Sequence, residues 1–281
     1  MGMKQLEDLH VSIIGAGIIG GAIAEALSTH CRVTATRRQV ERLNGLGEKG
    51  ITVTTDNIQA ASQADIIILS VKPSQVVPVL REIADVSAGK PVISFAAAIS
   101  LEILHEAAPE CRFVRAMTNI AAKVAKGYTL FAPDGSFQEE ELALIEKILR
   151  IPGEIRRVEE QYLDVLTAMS GSGPAYIFTV VESMIYGALR EGLPRKLALE
   201  AAAHTAIGAA SLLLETGKHP SELKDLVLTP GGVTIDGIYE LEESRIRTAF
   251  MKAISAASAR ARVLSEEAGK QARSDMNRDK L

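Results

Sequence analysis

The sequence predicts an α/β protein, with a doubly wound, mostly parallel sheet in the N-terminal half and an all-α C-terminal half. Three observations carry this expectation. Strand and helix patterns alternate from Val11 to Val158, and repeated β-α-β units with short connections build a parallel sheet covered on both faces. Beyond Val158 the strand pattern stops and only helical apolar spacing remains. The first strand runs into Gly15-Ala16-Gly17-Ile18-Ile19-Gly20, a glycine turn set between a strand and a helix, the context in which this spacing denotes a dinucleotide site. The division into domains is placed at 1–160 and 161–281.

Each glycine of the turn has a physical task. Gly15 permits a tight turn off the strand, Gly17 lets backbone approach a pyrophosphate, and Gly20 lets the helix pack closely on the strand. The free N–H groups of the helix start, at Ile18 and Ile19, then face the phosphates. The second strand, 32–36, ends in Thr36-Arg37-Arg38. A site for NAD usually carries Asp or Glu about 20 residues after the glycines, to hold the ribose hydroxyls. Two guanidiniums in that place suit a 2′-phosphate, so NADPH is the expected cofactor and NADH a possible one. The bland alternative is a pair of solvated arginines at a strand end.

A short helix is expected at 39–46. Residues 66–70 form an apolar, β-branched run, as in a strand buried on both faces. Val71-Lys72-Pro73 follows, with Pro73 suited to a first helical turn and Lys72 at the carboxyl edge of the sheet, either beside the cofactor or simply solvated. A helix at 74–83, a strand at 92–95, a helix at 101–107 and a strand at 112–115 come next. Small side chains at Ala96, Ala97 and Ala98 would let a flat ring lie against the backbone. Strands at 128–131 and 155–158 flank a helix at 138–149. Asn57 and Asn119 are candidates for cofactor contact or for caps and turns.

In the C-terminal half, a helix from 163 is interrupted by Ser170-Gly171-Ser172-Gly173 and restarts at Pro174. The helix at 195–215 is apolar on nearly every side, so it must be buried. A domain of this size can hardly cover it alone, and a homodimer or larger homo-oligomer follows. Pro230-Gly231-Gly232-Val233-Thr234 precedes a helix at 235–242 and presents backbone N–H groups and a hydroxyl at its start. Such a turn can bind a carboxylate, or be an ordinary connection between helices. The last helix is expected from 244 to about residue 265, with the charged tail beyond it frayed.

Composition bounds the rest. Hydrophobic residues are 47%, aromatics 4%, Trp is absent and the net charge is −4, so nothing suggests a nucleic-acid surface. Cys31 and Cys111 stand far apart in apolar strand-like stretches without metal-ligand spacing, and read as buried free thiols of a reducing compartment; no metal is expected. No leader pattern precedes the first strand, and the apolar run 206–214 is shorter than a membrane span. A cytoplasmic protein with no membrane partner is expected. His204 reads as a core residue.

Taken together, Val71-Lys72-Pro73, Arg115-Ala116-Met117-Thr118-Asn119, Ser170-Gly171-Ser172-Gly173-Pro174-Ala175-Tyr176 and Pro230-Gly231-Gly232-Val233-Thr234 resemble the pyrroline-5-carboxylate reductases, over nearly the whole chain. The resemblance implies a Rossmann domain followed by a helical dimerisation domain that interlocks with a partner subunit. It implies reduction of the cyclic imine 1-pyrroline-5-carboxylate to L-proline, the last step of proline biosynthesis, with NADPH or NADH. By resemblance Gly15, Gly17, Gly20, Asn57, Val71, Lys72, Pro73 and Ala97 line the cofactor. Thr234 donates to the substrate ring nitrogen, Gly231, Gly232, Val233 and Thr234 hold the carboxylate, and Glu160 lies near the substrate or is a solvated charge beside Glu159. The chain departs from the family pattern at Ala98, commonly glycine; at Thr118, usually proline; at Ile120-Ala121, in place of Thr-Pro; and at Val233, often threonine. Rival readings are a related imine or β-hydroxyacid oxidoreductase, and a non-catalytic NADP(H) sensor.

Overall fold

The computed structural model describes residues 5–278. The chain divides into two compact units, residues 1–172 with 257–281, and residues 173–256.

The first unit is built on eight strands: β1 (His10–Ile14), β2 (Arg32–Thr36), β3 (Thr52–Thr54), β4 (Ile66–Leu69), β5 (Pro91–Ser94), β6 (Arg112–Met117), β7 (Gly127–Pro133) and β8 (Gly153–Arg157). They lie in the order β3-β2-β1-β4-β5-β6-β7-β8. All neighbours are parallel except β6 and β7, which pair antiparallel. The helices are α1 (Ile18–Leu27), α2 (Asn44–Gly47), α3 (Asn57–Gln63), α4 (Val76–Glu82), α5 (Ala84–Ser87), α6 (Leu101–Ala107), α7 (Glu139–Arg150) and α8 (Leu163–Leu166). The expected helix at 39–46 is a 3-10 turn, Val40–Leu43, followed by α2. Strand β3, not anticipated, adds three residues at the sheet edge.

Burial explains why β4 is apolar throughout. Ile66 and Ile68 belong to one core cluster with Val11, Ile13 and Leu27, while Ile67 and Leu69 belong to the other with Val76, Leu80 and Phe113. A strand covered on both faces has no polar side. Order reverses between β1 and β4, so a crevice opens beyond their carboxyl ends, the usual ligand position in such sheets.

The second unit holds α9 (Gly173–Arg190), α10 (Arg195–Thr216), α11 (Pro220–Asp225) and α12 (Val233–Glu243). Pro194 precedes α10, and Gly217 ends it in the left-handed region at φ 62°. Among the described residues of 173–256, only Ala198 and Ala202 are buried. Phe178 is 65% exposed, Ile207 63% and Leu214 83%. The expectation that α10 must be buried is therefore not met within one chain. By length and composition α10 could also cross a membrane, being 22 residues long rather than the shorter run read from the sequence.

The last helix, α13 (Ile246–Arg278), starts in the second unit and continues into the first. The expectation of a frayed tail after residue 265 is corrected as far as Arg278. Ala272 and Met276 are buried in the core cluster of α4 and α6, and Arg81 donates to the carbonyls of Asp275 and Met276 at 3.3 and 2.9 Å. Those carbonyls belong to the helix's last turn and lack intrahelical donors. The final three residues of the expected tail lie outside the described residues.

Candidate active site

The glycine turn folds as its composition demands. Gly15 sits at φ 93°, and a Cβ there would lie 2.5 Å from Val71 Cγ1 and 2.8 Å from the Ser70 carbonyl. A Cβ on Gly20 would come within 2.6 Å of the Gly15 carbonyl, so this glycine serves α1 packing. At Gly17 a Cβ would meet nothing nearer than 4.0 Å; the space above it is free for a ligand. The N–H groups of Gly15 and Ala16 donate to the Thr36 carbonyl, which pins the turn to the end of β2. The first-turn N–H groups of α1 have no intrahelical acceptors and no side-chain cap.

This turn floors a cleft of about 580 Å³, lined by Gly15, Gly17, Thr36, Arg37, Arg38, Asn57, Val71 and Lys72 among others. Arg37 is half-buried, its backbone N–H donating to the Thr54 carbonyl and its Nη1 to the Ala16 carbonyl at a long 3.5 Å. Arg38 and Lys72 are exposed at the rim. Asn57 is the first residue of α3; Thr36 Oγ1 donates to its Oδ1 at 2.6 Å, and its Nδ2 donates to Glu82 at 3.0 Å. Its amide is thus already oriented by neighbours.

A second cleft of about 410 Å³ is lined by Ile18, Ile19, Phe95, Ala97, Arg115, Thr118, Asn119 and Gly171, with other residues of β6 and α8. Asn119 lines it and is also a cap: its Oδ1 accepts from Ala121 N–H at 3.1 Å and its Nδ2 donates to the Ser170 carbonyl at 3.2 Å. Pro73 opens the 3-10 turn before α4 and lies on a third hollow with Ala97, Ala98 and residues of α13. Ala98 has φ 68°, which is why a glycine suits that position.

Glu160 is not the solvated charge of the bland reading. Its Oε1 accepts from Leu101 N–H at 2.7 Å and from Arg115 Nη1 at 3.2 Å. Sequence reasoning had no sign of this, because the partners stand 59 and 45 positions away. Arg115, Thr36 and Thr118 are site-lining residues to which the sequence reading gave no role. The cysteines are unpaired and buried. Burial pushes the Cys31 thiol up to about 11 and raises Cys111 as well, so neither offers a thiolate for catalysis.

In the second unit, Gly231 has φ 69° and Gly232 is the N-cap of α12, with its N–H donating to the Thr229 carbonyl. The expected turn is therefore a helix start, two residues earlier than anticipated. Val233 is 89% exposed, while Thr234 is half-buried in the first turn.

A cleft at a topological switch, a glycine turn leading into α1 and arginines after β2 define a nicotinamide-dinucleotide oxidoreductase of two-unit plan. Residues 10–98 match the family profile described as NADP oxidoreductase, coenzyme F420-dependent, and residues 160–264 match that of pyrroline-5-carboxylate reductase dimerisation. A pyrroline-5-carboxylate reductase of Methanosarcina acetivorans is 41% identical, over 93% of this chain and all of that one. The solved pyrroline-5-carboxylate reductase of Coxiella burnetii is 32% identical, with a TM-score of 0.83 over 92% of this chain and 99% of that one. The Plasmodium falciparum pyrroline carboxylate reductase with NADP bound, 24% identical, shares the fold at a TM-score of 0.85, covering 92% of this chain and 99% of its own. The chain belongs to the pyrroline-5-carboxylate reductase family. The matched dimerisation segment includes α9 and α10, whose apolar side chains are exposed in one chain, and supports a homo-oligomer.

Proposed function

We propose that the protein reduces 1-pyrroline-5-carboxylate to L-proline, the closing step of proline biosynthesis, with NADPH preferred over NADH. The observation that carries this reading is the pairing, in one chain of this family, of an arginine-edged dinucleotide turn with a Pro-Gly-Gly-Val-Thr helix start. The residues present suit the cofactor: Gly15 and Gly20 allow the turn, and Gly17 leaves open space where a pyrophosphate would approach. When bound, NADPH supplies a hydride from its nicotinamide ring. The turn and the start of α1, through Ile18 and Ile19, hold the pyrophosphate. Arg37 and Arg38 clamp the 2′-phosphate, with Asn57, Val71, Lys72 and Pro73 along the cofactor's course. The small side chain of Ala97, with Asn119 opposite, leaves room for the ring.

On the substrate side, the loop Gly231, Gly232, Val233 and Thr234 holds the carboxylate, through the first-turn N–H groups of Val233 and Thr234, the Gly232 N–H being already bonded to the Thr229 carbonyl. The Thr234 hydroxyl donates to the ring nitrogen as it gains electron density, worth about 3 kcal/mol for a well-placed donor. Glu160 bonds Arg115, which lines the second cleft, and so bears on the substrate through that side chain. No side chain is asked to act as nucleophile; positioning does the work. The smallest assembly that covers α9 and α10 is a dimer, larger forms being built from it, and the buried unpaired thiols suit the cytoplasm.

The test is oxidation of NADPH, followed at its absorbance band, by the purified protein with and without 1-pyrroline-5-carboxylate, then repeated with NADH. Imine-dependent turnover faster with NADPH supports the proposal. Tight NADPH binding without turnover would instead favour an NADP(H) sensor.

A further inference from the structure

We infer that Arg115 is a positioning residue for the reaction: its guanidinium fixes the wall of the second cleft, where the reactive end of the dinucleotide extends. This rests on the cofactor reading above. Arg115 lies on β6 and is only 7% exposed, yet it lines the cleft beside Ala97 and Thr118. Both arms of its fork are engaged. Nη1 donates to Glu160 at 3.2 Å and Nη2 to Asp164 at 2.6 Å. A lysine ammonium, as a point charge, could not hold both with the same planar geometry.

The two carboxylates are anchored in turn. Glu160 accepts from the N–H of Leu101, the first residue of α6, four residues after Ala97 of the cleft wall. Asp164 Oδ2 accepts from Ser265 Oγ of α13 at 3.1 Å. One guanidinium therefore joins β6, the 97–101 segment, the 160–166 segment and α13. Stability does not account for this arrangement, because buried ion groups are often no better than packed apolar side chains in their place. Fixed geometry at a reacting cleft does account for it, since small misplacements there are costly to rate.

The experiment compares Arg115→Met, Arg115→Lys, Asp164→Asn and Arg273→Ala with the native chain. Arg273 pairs with Glu102 and Glu106 on α6, away from the cleft wall, and controls for loosened packing. Thermal melting, NADPH affinity, emission of bound NADPH and steady-state kcat and KM are read for each. Arg115→Met is expected to lower kcat on the order of 100-fold while NADPH affinity stays within about threefold. The emission of its bound NADPH moves toward that of free NADPH, and Arg115→Lys recovers part of both. Arg273→Ala melts lower with native kcat and emission. Native kcat and emission in folded Arg115→Met, or losses that only follow the unfolded fraction, overturn the inference. Should Arg115→Met fail to fold, folded Asp164→Asn with native kcat and emission does the same. A native chain that binds NADPH without turning over the imine defeats the functional proposal alone, and the emission readings still decide the role of Arg115.

Discussion

Replacing Arg37 by aspartate tests the proposed 2′-phosphate contact separately from the other proposed cofactor contacts. The native side chain gives up little when removed, because its one side-chain bond among the described residues is a 3.5 Å approach to the Ala16 carbonyl. Its backbone bond to Thr54 survives any substitution, so the turn keeps its shape. Loss of a charge-assisted bond to phosphate costs about 1.5–3 kcal/mol. A carboxylate at roughly 6 Å adds repulsion of about 3 kcal/mol per unit charge at an effective dielectric constant near 20. Screening in this open cleft, and Arg38 beside it, offset part of that sum. A net loss of about 3–4 kcal/mol corresponds to a rise of roughly 100- to 1000-fold in KM for NADPH. NADH, which has no 2′-phosphate, should change by less than about threefold or improve, since aspartate can accept from a ribose hydroxyl. Initial rates with both cofactors at saturating imine measure the ratio directly. Equal effects on NADPH and NADH, or an unchanged KM for NADPH, would refute the assignment of Arg37.

Three further outcomes are expected. Thr234→Ala should lower kcat on the order of 100-fold with little change in NADPH affinity; full turnover would remove Thr234 from the reaction. Ala98→Gly relieves a left-handed alanine at φ 68°, a strain of about 1–2 kcal/mol, against an unfolded-state entropy cost of about 0.4–1 kcal/mol. The melting temperature should rise by about 1–4 °C, and a fall would show that the Ala98 methyl packs usefully. Cys31 has its thiol raised from 9.0 to about 11 by burial, so the unfolded chain ionises first as pH rises. Stability should therefore be complete below pH 9 and decline through pH 11. Denaturant midpoints of the native chain and Cys31→Ala across that range should diverge in slope; parallel curves would place the alkaline loss elsewhere.

The features that the sequence made legible are those fixed by local backbone demands. Gly15 needs its positive φ whatever surrounds it, and the apolar run at 66–69 could only be a strand covered on both faces. The helix start at Gly232 was legible for the same reason, with its boundary two residues off. What was not legible depends on partners distant in the chain. Glu160 next to Glu159 reads by itself as a solvated charge, and only the resemblance sets it near the substrate; the fold pairs it with Arg115. The tail of α13 looked polar because Ala268, Ala272 and Met276 recur every four residues among charges, with alanine giving a weak apolar signal. Arg273, one of those charges, is held by Glu102 and Glu106. The antiparallel pairing of β7 also escaped, because strands read at 112–115 and 128–131 left room for a parallel crossover, whereas the connection from Met117 to Gly127 is too short for one.

The scarcity of buried residues in 173–256 bears on how the molecule comes into being. The sheet unit carries a two-sided core, which Ala272 and Met276 near the end of the chain complete. The helices of 173–256 pack α9 against α10 but leave large apolar side chains exposed in one chain, so part of their stability is expected to come from another subunit. In a homo-oligomer of this kind the stability of the helical unit is expected to depend on the concentration of chains. Dilution acts on such a molecule as a denaturant, and a substitution on α9 or α10 that leaves one chain's internal contacts intact can still abolish the mature form.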